Sequence, residues 1–165
     1  MKKVGIVMGS DSDLPIIRKA TDQLKALDIP FEVHVYSAHR TPVQAHDFAA
    51  NARENGFGVL IAAAGMAAHL AGAVAARTAR PVIGIPIAGT AFGGMDALLS
   101  TVQMPPGFPV ATVACDKAGA RNAAWMAAQI LALADDALRA RITAERAKMA
   151  ADVEAVGNEM LKKYS

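Results

Sequence analysis

Five short apolar runs, each followed by a longer stretch with helical apolar spacing, constrain this chain more than any other feature. Val4-Gly5-Ile6-Val7-Met8 is apolar at successive positions and closed by Gly9, the pattern of a strand buried on both faces. From Leu14, the residues Ile16, Ile17, Ala20, Leu24 and Leu27 recur at helical spacing with charged residues between them. Phe31–Tyr36 is a second strand, and Thr41-Pro42 opens a helix that Asn55-Gly56 closes. Val59–Ala64 is a third strand, followed by a small-residue helix from about Met66 to Thr78. Pro81–Pro86 is a fourth strand, followed by a glycine-rich loop and a helix from Met95 to about Gln103. Pro109–Val113 is a fifth strand, and a helix from about Gly119 to Leu133 follows it.

Crossovers of that length join parallel strands, so the pattern predicts an α/β fold. It is a three-layer, doubly wound parallel sheet of the flavodoxin-like kind, in which ligands bind outside the carboxyl ends of the strands. The chain has 165 residues, which suits a single domain over 1–165. Apolar residues make up 53% of it, too many for disorder. Seventeen basic and fifteen acidic residues are interleaved, without the basic, aromatic-studded stripe of a nucleic-acid protein. No apolar run is long enough to span a membrane, and the basic start lacks a signal-peptide cleavage site. One cysteine, Cys115, leaves no internal disulfide and no thiolate zinc cluster. The expectation is a cytoplasmic protein with no nucleic-acid or membrane partner.

The tail is different. Leu138, Ile142, Met149, Val153, Val156 and Met160 lie on one face of a helix over about 136–163, with charges opposite. A helix that long overhangs its own domain, so its apolar face is expected to pack on a neighbouring subunit; the alternative is folding back.

Four strand-end loops carry chemistry. Gly9-Ser10-Asp11-Ser12-Asp13 offers hydroxyls and backbone N–H groups at a helix start, where a phosphate is held well. It equally serves as a helix cap through Ser12 or Asp13. Ser37-Ala38-His39-Arg40-Thr41-Pro42 puts an imidazole beside a guanidinium, one able to exchange a proton near neutral pH and the other to pair with a phosphate. A solvated, structural histidine is the plainer reading. Around Ala64-Gly65, small residues let a flat ligand reach the backbone, while His69 either faces the site or is a buried support. Gly89–Asp96 is either a lid or a turn. His34 and His46 read as structural or surface residues, and Cys115 as inert. No spacing matches a metal-binding motif.

Several segments then carry a resemblance. Met8-Gly9-Ser10-Asp11-Ser12-Asp13, Ser37-Ala38-His39-Arg40-Thr41-Pro42, Ala67-Ala68-His69-Leu70, Leu98–Pro105 and Ala118-Gly119-Ala120 occur in order along nearly the whole chain. Together they resemble the N5-carboxyaminoimidazole ribonucleotide mutase family of de novo purine (IMP) biosynthesis. That resemblance implies an isomerase needing no cofactor or metal. It would move a carboxyl group from an exocyclic nitrogen to ring C4 through trapped CO2, with His39 as the acid/base. Ser10, Ser12 and Arg40 would hold the phosphate and Asp13 the ribose. Ser37, Ala38, Ala64 and Gly65 would line the ring and carboxylate pocket, with His69 nearby. It also implies a homo-octamer with sites between subunits, and a functional link to the ATP-dependent carboxyaminoimidazole ribonucleotide synthase.

The chain departs from the family pattern at Met66 and Ala71, where glycine and proline are usual, and at Cys115-Asp116, where Ile-Gly is common. Alternatives are a carboxylase using free CO2, a paralogue acting on another carboxylated ring, and a flavin-type binding module. Arg40 favours the mutase over the carboxylase. The lack of aromatics in the strand-end loops argues against a flavin.

Overall fold

β1 (Lys3–Met8) is the strand around which the molecule is built, and five of its six residues are buried. The computed structural model describes residues 2–165. β1 is followed by a 3-10 turn (Asp11–Asp13) and α1 (Leu14–Ala26), then β2 (Phe31–Val35) and α2 (Pro42–Ala50). β3 (Phe57–Gly65) and α3 (Leu70–Ala75) come next, then β4 (Val82–Ile87) and α4 (Met95–Val102). β5 (Ala111–Thr112), α5 (Asp116–Ala132) and α6 (Asp136–Tyr164) complete the chain.

The strands form one sheet in the order β2-β1-β3-β4-β5, with every pairing parallel. Alternate residues of the sheet feed two cores. Val4, Ile6, Ile61, Ile83 and Ile85 meet α1 and α5, through Ile17, Leu24, Ala123 and Ala127. On the other face Val7, Leu60, Ala62 and Val82 meet α2 and α3, through Phe48, Leu70 and Val74. Full burial of each such large aliphatic side chain is worth about 1.5–3 kcal/mol relative to exposure. The alanine-rich face of α5 lets that helix lie close to the sheet, with Ala120, Ala123, Ala124, Ala127 and Ala128 all fully buried.

The predicted doubly wound α/β sheet is thus present, with differences at element ends. α2 stops at Ala50 and the chain turns through 51–56 before β3, with Gly56 at φ 78. α3 starts at Leu70 rather than Met66, because Met66 is left-handed at φ 57 and cannot continue a right-handed helix. β5 shrinks to two residues, since Pro109 has no N–H for a ladder. α5 begins at Asp116, three residues earlier than the spacing suggests.

α6 divides in two. Its start is capped by Asp135, whose side chain accepts the Leu138 amide, and Leu138 and Ile142 are buried in the domain's own core. Arg141 Nε donates to the Leu27 carbonyl at 2.9 Å, tying α6 to the end of α1. From Met149 onward Val153, Val156 and Met160 are exposed in this chain. Folding back, the alternative to packing on a neighbouring subunit, therefore describes only the first turns, while the rest of the apolar face has no cover among the described residues. Among the described residues no helix is long and apolar enough to cross a membrane.

Met66, 70% exposed, holds a backbone conformation that costs a residue with a Cβ about 1–2 kcal/mol. Glycine ordinarily destabilises a protein by about 0.5–1 kcal/mol relative to alanine. At this position the order should reverse, with Met66→Gly melting above Met66→Ala by roughly 1 kcal/mol in chemical denaturation.

Candidate active site

The carboxyl ends of β1, β2, β3 and β4 open into one cleft of about 740 Å³. Ser10, Ser12, Asp13, Ser37, Ala38, His39, Arg40, Ala64, Gly65 and His69 all line it. It lies at the point where the strand order reverses, β1 continuing to β2 on one side while β3 and β4 lie on the other.

The β1 loop is held by its own hydroxyls. Ser10 Oγ accepts the Ser12 amide at 3.3 Å and lies 2.9 Å from Ser12 Oγ. Ser10 is therefore the cap of the 3-10 turn. Neither candidate cap of α1 acts as one: Asp13 sits at the N-cap position without a side-chain cap bond. Its carboxylate is left to the cleft. Burial raises the Asp13 pKa above the ordinary aspartate value, and the nearby Asp11 charge adds to this, while hydrogen bonds from Ser12 and Ser10 oppose it.

The β2 loop is cross-braced. The Ser37 amide donates to Thr41 Oγ1 at 2.8 Å, and Ser37 Oγ accepts the His39 and Arg40 amides at 3.3 and 3.1 Å. That bracing, followed by Pro42 in the first turn of α2, turns His39 and Arg40 out over the sheet edge. Arg40 Nη2 donates to the Gly9 carbonyl at 3.0 Å, joining the β2 loop to the β1 loop and leaving further guanidinium N–H groups free to pair with an anion.

The β3 loop brings the second imidazole. His39 Nε2 and His69 Nδ1 are 2.9 Å apart, with the rings nearly perpendicular at 84°. Two ring nitrogens at that distance share one proton, so one ring donates and the other accepts. His69 occupies the N-cap position of α3, not the interior of a helix, so it is exposed at the cleft and is no buried support. Its loop is held from behind by Ser100 of α4, whose Oγ accepts the Ala68 amide at 2.8 Å and donates to the Asp96 carbonyl at 2.7 Å.

Gly65 closes the floor. A Cβ there would lie 3.0 Å from the Ile87 carbonyl oxygen, so any larger residue would press β3 and β4 apart by a few tenths of an ångström at the cleft. Met66 also lines the cleft, but its high exposure puts most of the side chain at the mouth. Ala71 is buried in the core beside Gly84, away from the lining. Met104 packs its sulfur against Gly72, behind α3.

Leu70, Ile87, Gly89 and Thr90 belong to the lining but were not among the residues singled out individually. Ile87 is the last residue of β4, one position past the Pro86 boundary that the sequence suggests. His34 stacks on Tyr36 at 5.3 Å and His46 lies 3.1 Å from the Asp47 carboxylate, so both are outside the cleft as expected. Burial, and then the Asp116 charge, raise the Cys115 pKa, which disfavours the reactive thiolate. The lining contains no Phe, Tyr or Trp to sandwich a flavin.

Residues 3–152 match the family model described as AIR carboxylase. A protein of Pyrococcus abyssi named N5-carboxyaminoimidazole ribonucleotide mutase is 55% identical over 81% of this chain and 75% of its own length. A Haemophilus influenzae protein of the same name is 51% identical over 87% of this chain and 88% of its own. Among solved structures, Treponema denticola PurE superposes with a TM-score of 0.80 at 25% identity, covering 98% of both chains. A family match over nearly the whole chain, and identity above one half with proteins that share a single name, leave one assignment: the chain belongs to the AIR carboxylase family, among relatives named N5-carboxyaminoimidazole ribonucleotide mutase.

Proposed function

We propose that this enzyme is an N5-carboxyaminoimidazole ribonucleotide mutase, an isomerase of purine biosynthesis, and that the paired imidazoles of His39 and His69 stand at its reacting atoms. The observation that carries the reading is the convergence of an anion-binding corner and an imidazole pair within one cleft. At the corner, Ser10, Ser12 and Arg40 suit a phosphate, helped by the N-termini of the 3-10 turn and α2. Asp13 suits the ribose hydroxyls, and Ser37, Ala38, Ala64 and Gly65 suit a flat ring with its carboxylate.

The chemistry needs one proton in each direction. Protonation at the exocyclic nitrogen breaks the N–C bond of the carbamate and releases CO2. The electron pair of ring C4 then forms a C–C bond to that CO2, and the C4 proton leaves. His39 gives the first proton and takes the second, with His69 positioned to relay or hold it. No net proton, electron or co-reactant is consumed. The protein's contribution is confinement: CO2 held against C4 reacts at an effective concentration far above that of free CO2 in water. We read the enzyme as cytoplasmic and as receiving its carbamate from an ATP-dependent carboxyaminoimidazole ribonucleotide synthase.

A homo-octamer follows from the same reading. Val153 and Val156 of α6, with Met95, Leu99 and Val102 of α4, are exposed in the single chain and supply apolar surface that neighbouring subunits would cover. Light scattering should give the mass of eight chains, and Val153→Asp combined with Val156→Asp should lower it. A monomeric wild-type chain would remove the assembly.

His39→Asn should abolish turnover of the carbamate nucleotide while leaving nucleotide binding within about twofold, whereas Arg40→Ala should weaken binding by about tenfold or more. Turnover retained by the histidine variant would remove His39 from proton transfer. Supplying the unsubstituted nucleotide with bicarbonate separates the carboxylase reading, which needs free CO2, from the mutase. Label from dissolved bicarbonate entering the product during mutase turnover would show that CO2 is not confined.

The Asp13 pKa gives a pH signature. Because the folded-state value is raised, the native protein favours the protonated carboxyl. Its contribution to stability is full below the unfolded value of about 4 and is lost as pH rises through the folded value. Asp13→Asn should therefore raise the melting temperature of the ligand-free protein at neutral pH, with the gain shrinking as pH falls toward 4. The same substitution should weaken nucleotide binding.

A further inference from the structure

β4 is covered by β3 along its length but by β5 only at Ile83 and Gly84, with one more bond from the Val113 amide to the Gly84 carbonyl. Past that point its outer edge has no strand, and there Asp116 takes over. Asp116 Oδ1 accepts the Ala88 amide at 2.9 Å, across 28 positions of sequence. Ala88 is the residue directly after β4, and Ile87, Gly89 and Thr90 on either side of it form the cleft's fourth wall. The wall is tied at its other end as well. Thr90 Oγ1 donates to Asp96 Oδ1 at 3.0 Å, and Gly94 lies so close that a Cβ there would be 2.7 Å from Ala88 Cβ.

Asp116 reaches Ala88 from a left-handed backbone, at φ 56, as the first residue of α5. Glycine takes that conformation without strain, and aspartate only with some. A position that merely shaped the turn would be served best by glycine. A carboxylate there gives something glycine cannot: an acceptor for a backbone N–H that the short β5 leaves without a partner strand.

We propose that Asp116 is a positioning residue of the active site, whose carboxylate anchors the Ala88 amide and thereby fixes the Ile87–Thr90 wall. In the strand order β2-β1-β3-β4 this wall stands on the far side of Gly65 from the Ser10 and Arg40 corner. Its effect on catalysis rests on the mutase reading, in which that side of the cleft borders the heterocycle. Asp116 touches no reacting atom and acts through the backbone it holds.

Three proteins test it: wild type, Asp116→Gly and Asp116→Asn, each measured by thermal melting, by amide hydrogen exchange over residues 88–94, and by steady-state turnover of the carbamate nucleotide. Asp116→Gly, free of strain, should melt no lower than wild type, yet exchange faster at Ala88 and lose about tenfold in kcat/KM, mostly through KM. Asp116→Asn keeps an Oδ1 acceptor and tolerates the left-handed backbone, so it should restore both exchange and KM. If Asp116→Gly matches wild type in exchange and in KM, the residue only shapes a turn and the proposal is overturned. An asparagine variant as impaired as the glycine one overturns it too. Should wild type not turn over the carbamate, the mutase reading fails by itself, and exchange at Ala88 still decides the anchoring.

Discussion

The parallel pairing of β1 with β2 on one side and β3 on the other is the constraint on which the rest depends. Parallel strands all end at the same edge, so the segments after them emerge side by side however far apart they lie in the sequence. His39 and His69, thirty positions apart, come within hydrogen-bond distance for that reason. The same pairing brings Arg40 to the Gly9 carbonyl. Both faces of the sheet are filled by tightly packed aliphatic and alanine side chains, which makes this edge a rigid platform for loops.

On that platform the loops are held largely by hydroxyls and by two carboxylates, those of Asp96 and Asp116. Ser10, Ser37, Thr41 and Ser100 each take up backbone N–H groups that leave the strands unpaired, and Asp116 does so for Ala88. The result is a site whose backbone is ordered while its imidazoles and guanidinium remain exposed to an open cleft. Under the proposed mutase reading, in which CO2 is placed beside its acceptor carbon, such order supplies proximity and orientation. Two of the family departures, Met66 and Asp116, fall at left-handed positions. Strain of this kind persists where surrounding contacts over-determine the backbone, and here both positions border the cleft or its wall.

Much of this was legible in the residues. The alternation of apolar runs with helical spacing gives the sheet class, since burial on both faces demands near-continuous apolar strands such as Val4–Met8 and Val59–Ala64. Glycines and hydroxyl residues just past strand ends, in the loops at Gly9, Ser37, Gly65 and Gly89, marked all four walls of the cleft. Element ends were harder to read. The start of α3 depends on a left-handed Met66, which composition does not announce, and the cap of the first turn fell to Ser10 because the 3-10 turn begins earlier than the apolar spacing of α1.

By itself the sequence determined the class of fold, the sheet edge at which the candidate cleft opens and the residue types gathered there, because local propensity and burial pattern act over short stretches of chain. Only the tertiary structure decided that His69 meets His39, that Asp13 is free of capping and partly desolvated, that α6 joins the core only at Leu138 and Ile142, and that Asp116 reaches the cleft wall. Each of these depends on contacts between segments distant in sequence, or on a turn a single residue long, and neither leaves a periodic trace in the chain.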